Sequence, residues 1–511
     1  RRLFRELDPN AHYPIYGDDS TLEQDVNTQG KFYFKLEKGK DHLLWGNYNT
    51  GMTGTEFGTY NRSLYGLQYL HEADQLTKFG DVKDYVNLFA ATSESRASHN
   101  EFLSTGGSLY YLNYQRVTEG SAKLTAEVRD SDTGRVISRA TLTEGTDYEI
   151  DNFQGRILLK KPLPMKSSDG SIISSGSLQR GNDVYLVVDF EYYSDDLSLS
   201  SMGSQGGRAY GWLGDHFRVG ATAIHSEQDG SADAYKFYGA DLTWKPSANT
   251  YTYLEYGKSE SGLGSFYQTN NGGLNFEQRT LTSEDSGSAY KIEQQIDFKD
   301  FGNTPLKFYG YYSRKNAGFN NLGTVADNKL TEYGAELTYH LDEDANNGLR
   351  LRYSSKDEET VSEERRIGLQ YYRELSKSKG LRGAIEVQDV HEWTPENGNA
   401  DETLAAVKIE KDLRGGKDKV YLIQQVSLSH SDNVEADNKT TIGYETQIKD
   451  YLKANIEGIA GNRGHGFNGG LAWDVNPRTQ LYSRYETDLD STAGKSHTMT
   501  FGGNWKMTDK T

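Results

Sequence analysis

From about residue 208 onward, two-faced segments of roughly ten residues are joined in turn by a tight bend and by a long polar loop. The tight joints are Leu213-Gly-Asp-His216, Lys245-Pro-Ser-Ala-Asn249, Leu413-Arg-Gly-Gly-Lys417 and Val475-Asn-Pro-Arg478. The long ones include Gly262 to Ser286, Lys315 to Asp327, His391 to Asp401 and Ser431 to Asn438. A soluble β-sandwich has no reason to place its short turns at one end of its strands. An up-and-down barrel crossing an outer membrane does, because its periplasmic turns are short and its outer loops long. The fold class expected is therefore all-β, a large antiparallel transmembrane barrel.

The faces of the segments can be read at period two. In Lys329–Leu341 one face carries Tyr333, Ala335, Leu337, Tyr339 and Leu341, and the other Glu332, Gly334, Glu336, Thr338 and His340. Tyr238, Ala240, Leu242 and Trp244 oppose Asp241 and Thr243 in the same way, and Leu349 and Leu351 alternate with Arg350 and Arg352. The apolar faces are rich in Ala, Gly and terminal aromatics, which suits a lipid-facing band better than a packed core. Seventeen such segments lie between Arg208 and Met507, with four more near Lys31–Leu36, His42–Tyr48, Ser63–His71 and Tyr85–Ala91. Counting Val184–Tyr193 as well gives about 22 strands, an even number; if that segment belongs elsewhere, the count is odd.

Composition agrees with this reading. Hydrophobic residues are only 35%, yet there are 36 tyrosines among 511 residues, too many aromatics for a disordered chain. A wet lumen and aromatic girdles account for both values. No stretch approaches the ~20 apolar residues of a spanning helix. There is no cysteine, hence no disulfide framework and no thiolate metal site. A net charge of -18 leaves no basic stripe for phosphates, so nucleic acid is not an expected partner. The chain opens Arg1-Arg-Leu-Phe-Arg-Glu6 without an apolar leader core, and a processed or excised piece is expected.

The expected organisation is a lead-in over residues 1–30, first barrel strands over 31–93, a small inserted β domain over 94–182, and the remaining barrel over 183–511. The insert is marked by shorter β runs and sharper turns, such as Asp130-Ser-Asp-Thr-Gly134. It is expected either in the periplasm or in the lumen as a plug.

Several motifs carry a resemblance. Tyr13-Pro-Ile-Tyr-Gly-Asp-Asp-Ser20, Leu44-Trp-Gly-Asn47, Thr53-Gly-Thr-Glu56 and Leu64-Tyr-Gly66 resemble the opening of the barrel region in large Gram-negative outer-membrane and cell-envelope proteins. Gly106-Gly-Ser-Leu-Tyr-Tyr-Leu112, Gly145-Thr-Asp-Tyr-Glu-Ile-Asp151 and Gln154-Gly-Arg-Ile-Leu158 extend it through the insert, and the second of these resembles short β units of very large outer-membrane translocon proteins. The resemblance spans roughly residues 8–260. It implies an outer-membrane barrel, often joined to repeated surface or periplasmic β domains, and it transfers no functional residue.

Candidate chemistry is thin. Ala493-Gly-Lys-Ser496 ends like a phosphate loop, but Leu489 stands where the first glycine belongs. Asp342, Asp344 and Asn346 begin like a calcium loop, with Gly348 one place late and Tyr353 in place of the closing glutamate. His391-Glu392 lacks the second histidine of a zincin helix. No catalytic residue, cofactor or metal is expected, and the chain is read as a non-enzyme. The residues expected to line the lumen are Asp241, Glu332, Glu336, His340, Arg350, Arg352, Lys408, Glu410, Arg484 and Glu486. Their mixed signs argue against strong ion selectivity. Three functions compete: a channel, translocation conduit or anchor for associated envelope domains; a diffusion porin or oligosaccharide receptor; and a surface adhesin working through its loops. Expected partners are outer-membrane lipid, lipopolysaccharide bridged by divalent cations to acidic loops such as Lys356-Asp-Glu-Glu-Thr360, and other envelope or surface proteins.

Overall fold

The computed structural model describes residues 32–505, apart from 53, 94–95, 131–133, 168–169, 175–180, 194–201, 228–233, 261–264, 281–285, 322–325, 477–478 and 491–493. The lead-in expected over 1–30 lies outside the described residues. A 21-stranded antiparallel sheet dominates the chain. Its strands pair in sequence order from Phe34–Lys38 to Gly494–Trp505, with two jumps. Asp84–Ser93 pairs with Met202–Leu213, which leaves the intervening residues to a separate module. Tyr251–Glu260 pairs with Ser286–Asp297, which releases a hairpin from the wall.

The two faces of this wall have opposite polarity. In Phe217–Ser226, Phe217, Val219, Ala221 and Ala223 are exposed, while Gly220, Thr222, Ile224 and Ser226 are buried. Cross-strand register carries the pattern from strand to strand. Leu337, Leu351, Leu369, Val387, Ala405 and Val426 stand side by side in one outward row. Leu369 in that row is 53% exposed. Tyrosines border the apolar rows: Tyr290, Tyr312, Tyr333 and Tyr353 stack in a ladder with ring centroids 5.9, 6.3 and 5.8 Å apart. At the opposite end of the strands Phe217 stacks on Trp244. Gln370, Glu386, Glu255, Arg208, Asp241 and Glu402 are buried on the inner face. A water-soluble sheet keeps its apolar face inside; here it is outside and in register.

Two expectations need correction. Among the described residues the large sheet has 21 strands, the odd count expected if Val184–Tyr193 belongs elsewhere, and the module runs past the expected boundary at 182, because Asn182–Tyr192 pairs with Arg96–Leu103 and Lys123–Arg129 inside it. The reason is its polarity: Leu186 and Val188 are fully buried on one face and Glu191 is 1% exposed on the other, so neither side could face lipid. The long loop expected from His391 to Asp401 is mostly strand. Leu381–Thr394 and Gly398–Leu413 run through it, with Trp393 paired to Asn399, and only 395–397 turn. Residues 359–361 make an equally tight joint at the same end, so the loop asymmetry fades where the strands reach 14 to 16 residues. The loop Ser431–Asn438 does lie between two wall strands. Among the described residues the first wall strand pairs only with the second, and the last only with the one before it.

The module is a small two-layer β unit. A three-stranded sheet of Leu109–Tyr111, Tyr148–Asp151 and Arg156–Leu159 faces the sheet that contains Asn182–Tyr192. Phe102, Tyr110, Leu124, Ile157, Leu186 and Val188, all fully buried, fill the space between them. The released hairpin, Ser265–Thr269 with Glu277–Thr280, adds to the edge of the module in parallel with Arg96–Leu103.

The outward row makes a direct prediction. Leu351→Arg should cost about 2–4 kcal/mol in urea-dependent folding into lipid vesicles, the cost of a cation near the bilayer midplane. Inward Gln388→Arg should change little; equal effects for the two would show that the Leu351 row does not meet hydrocarbon.

Candidate functional site

The inner face of the wall is not an open surface, because the module and two loops sit against it. Between wall strands Asp41–Asn49 and Ser63–Glu72 the chain turns inward. The Glu255 carboxylate accepts three of its backbone N–H groups, from Glu56 at 3.0 Å, Phe57 at 2.7 Å and Gly58 at 3.3 Å. Phe57 packs edge-on to Phe319 from the loop that follows Lys315, at 5.4 Å, and both are buried with Met52, Tyr60 and Phe237. Lys291 on the wall donates to Glu56 at 2.8 Å.

The module is fixed to the wall at points far apart along the sheet. Arg62 donates twice to the Glu191 carboxylate, at 2.7 and 3.0 Å. Arg135 lies over the Tyr311 ring, 3.8 Å from its centroid, and donates to the Tyr309 hydroxyl at 3.2 Å. A third attachment is made by residues 170–174. Ile172 and Ile173, each 5% exposed, pack on Leu404, Ala406 and Ile423, which point inward and are nearly fully buried. The Glu386 carboxylate accepts from the Ser171 hydroxyl and the Ile172 N–H, both at 2.8 Å. Gln370 donates to the Gly170 carbonyl at 2.8 Å. Gly170 is at φ +82, a left-handed backbone conformation that favours glycine. Gln425 accepts from the Ser174 N–H at 3.1 Å and donates to its carbonyl at 3.2 Å, and Lys439 donates to the same carbonyl at 2.7 Å.

The residues expected to line the lumen fall into separate ion-pair networks. Asp241, 4% exposed, accepts from Arg208 at 2.7 Å and from Arg218 at 3.3 Å. Glu336 lies 3.6 Å from Arg350 and 3.4 Å from Arg352. His340 Nδ1 shares a hydrogen bond of 3.2 Å with the Tyr372 hydroxyl. Glu410 contacts Lys408 at 2.7 Å and Arg382 at 2.8 Å. Glu332 is buried on the same inner face. The side chains of Arg484 and Glu486, on strand Thr479–Asp490, lie outside the described residues. Arg218–Asp241, Arg350–Glu336, Arg352–Glu336 and Arg382–Glu410 join neighbouring strands, so these charges pair by opposite sign instead of forming a ring of one sign.

Sequence reasoning missed the attachment of residues 170–174. Two signals were present: an isolated Ile172-Ile173 pair in a Ser/Gly-rich stretch, and Leu404-Ala-Ala-Val407, which is apolar on both faces of its strand. A second feature also went unread. A cavity of about 370 Å³ lies between the module and the released hairpin. Gln268, Asn270, Asn271 and Asn275 line it, with Tyr185 and Phe276 as aromatic surfaces. Glu101 at its edge binds Arg129 bidentately, at 2.6 and 2.9 Å, and accepts from Gln268 at 2.8 Å.

No protein-family model matches the sequence, and no curated protein does. Among solved structures, the chain is similar to the translocation pore of the P pilus usher PapC, at 12% identity and a TM-score of 0.40, covering 94% of this chain and 87% of that one. It is also similar to a bacterial polysaccharide outer membrane secretin, at 11% identity, a TM-score of 0.26, and coverage of 76% and 98%. A third is the ferric enterobactin receptor PfeA of Pseudomonas aeruginosa, at 8% identity, a TM-score of 0.35, and coverage of 93% and 72%. These neighbours are outer-membrane β-barrel proteins.

Inside the module, His99 donates from Nδ1 to Asp189 at 2.6 Å and faces Glu101 at 3.5 Å. Burial pushes the imidazole pKa down, but the Asp189 and Glu101 carboxylates outweigh it and raise it from 6.5 to about 10. A raised folded pKa stabilises the module fully below the unfolded value and stops doing so as the pH passes the folded one. Hydrogen-exchange protection of Arg96–Leu103 should therefore fall between pH 6.5 and about 10, and His99→Gln should flatten that fall. Parallel pH profiles for the two proteins would remove His99 as the cause.

Proposed function

We propose that this chain is a non-enzymatic outer-membrane channel of a Gram-negative bacterium: a closed barrel that acts as a translocation conduit and carries its own plug. The single observation behind this is the attachment of one small module to stretches of the wall that lie far apart in the strand order. It is gripped by Arg62 ahead of the third wall strand, by Tyr309 and Tyr311 in the middle of the wall, and by Glu386, Gln425 and Lys439 toward its far end. One compact body can touch inward side chains so far apart along a meander only if the wall curls around it. The outward leucine row supports lipid as the surrounding medium. A barrel of about twenty strands is too wide for its own side chains to fill, which suits a bore with an internal occupant. The paired charges on the inner face favour a weakly selective passage. The acidic loops suit lipopolysaccharide bridged by divalent cations, and outer-membrane lipid and other envelope proteins complete the proposed partners.

The cavity at the hairpin seam favours a second reading, a receptor for a neutral polyhydroxylated ligand. Side-chain amides beside aromatic rings can bind sugar hydroxyls and apolar ring faces together. Maltotriose would then slow hydrogen exchange of Ser265–Thr269, and Asn275→Leu would abolish the effect.

Planar-bilayer recording separates the readings. The whole chain should be nearly silent, and removal of residues 96–192 should give a large, steady conductance. A large conductance from the whole chain would refute the plug, and silence from the shortened chain would refute the conduit.

A further inference from the structure

We propose that the inner wall carries a polypeptide-binding groove, filled in cis by residues 170–174, that a translocating chain with two adjacent branched aliphatic residues takes over. The proposal rests on the conduit reading and names the substrate class of that bore.

The groove is one cross-strand row. Gln370 pairs in register with Glu386, Glu386 with Ala406, Ala406 with Gln425, and Gln425 with Lys439. The row crosses five strands at one level on the inner face. Residues 170–174 follow it in order: Gly170 meets Gln370, Ile172 meets Glu386, and Ser174 meets Gln425 and Lys439. The wall therefore reads main-chain atoms. The Gln425 side-chain amide pairs with both the N–H and the C=O of Ser174, as a neighbouring strand would, and Glu386 takes the N–H of Ile172. Recognition of this kind suits a peptide and is indifferent to its side chains. A saccharide offers no matching alternation of N–H and C=O.

Side-chain preference comes from the apolar floor. Leu404 at 0%, Ala406 at 1% and Ile423 at 2% exposure point inward beside the polar Glu386 and Gln425 of the same face. Without an occupant they would face water. Covering two isoleucines on this floor removes apolar surface from water, which selects paired aliphatics over polar residues. The cis segment has the advantage of a high local concentration, at the millimolar scale for short tethers, so a free peptide competes poorly until the segment is displaced. A passing chain held in the bore has the same advantage and can exchange with it.

The test uses the whole chain in lipid nanodiscs and a fluorescein-labelled, acetylated Gly-Ser-Ile-Ile-Ser amide, read by anisotropy. The I172D/I173D protein should bind the probe about tenfold or more tighter than the unaltered protein. Adding Leu404→Asp or Gln425→Ala should abolish binding, and a Gly-Ser-Asp-Asp-Ser probe should not bind. Heat-modifiable gel migration checks folding, and the milder I172A/I173A pair should give the same order if the aspartates misfold. Equal binding by the latched and unlatched proteins, or none by either unlatched variant, overturns the groove. Conductance of the chain lacking residues 96–192 separates the two ideas: if it conducts while the unlatched protein ignores the peptide, the groove is overturned and the channel stands, and if it is silent while the unlatched protein binds the peptide, the reverse holds.

Discussion

Backbone satisfaction governs this structure. In hydrocarbon each unpaired N–H or C=O costs several kcal/mol, so a β chain can enter a bilayer only if its strands pair on both sides. Successive wall strands meet that demand with ladders of eight to fourteen paired residues along most of the sheet. Because the ladder takes care of the main chain, side chains are free to segregate. Alternate residues become a leucine-rich exterior and a charged interior, and register keeps each set aligned from strand to strand. The two jumps in the meander follow the same rule: residues that do not fit the two-faced pattern leave the wall, and the module they form packs against its inner face.

That rule also explains what could be read in advance. Period two is a local property, so the faces of Leu330–His340 and the inward direction of Glu336, Arg350 and Arg352 are legible from residue types alone. The same holds for the small module, whose turns are marked by Gly134 and Gly145, both at positive φ. Asn182–Tyr192 was harder, because VYLVVDF has the β-branched and aromatic texture of any buried strand. Only its pairing with Arg96–Leu103 shows that it belongs to the module. Trp393 and Asn399 were taken for loop because their neighbours are polar, yet strand ends rising above an apolar band need no alternation to stay paired.

The candidate site was less legible, for a different reason. Which cation meets which carboxylate depends on register between strands, and register is not written in either strand alone. Asp241 finds Arg208, 33 residues away, and Arg62 finds Glu191, 129 residues away. The attachment of residues 170–174 spans more than 200 residues of sequence. No periodicity predicts it, because those residues are neither helix nor strand.

The inward contacts differ in kind, and this bears on how the module, as the proposed plug, would be both secure and removable. Arg62–Glu191 is an ion pair largely withdrawn from water; breaking it leaves a buried charge, so it holds strongly against partial opening. The Ile172–Ile173 attachment has a different character. It joins apolar contacts to hydrogen bonds on main-chain atoms, it leaves no stranded charge on the module when it parts, and by the proposal above a peptide of similar chemistry replaces it. Arg135 over Tyr311 is intermediate, since an arginine that leaves an aromatic ring is readily rehydrated. A plug held only by buried ion pairs would open all at once or not at all. One held at one edge by exchangeable aliphatic contacts can release that edge first, admit water to the remaining pairs, and so weaken them in sequence as their surroundings become more polar.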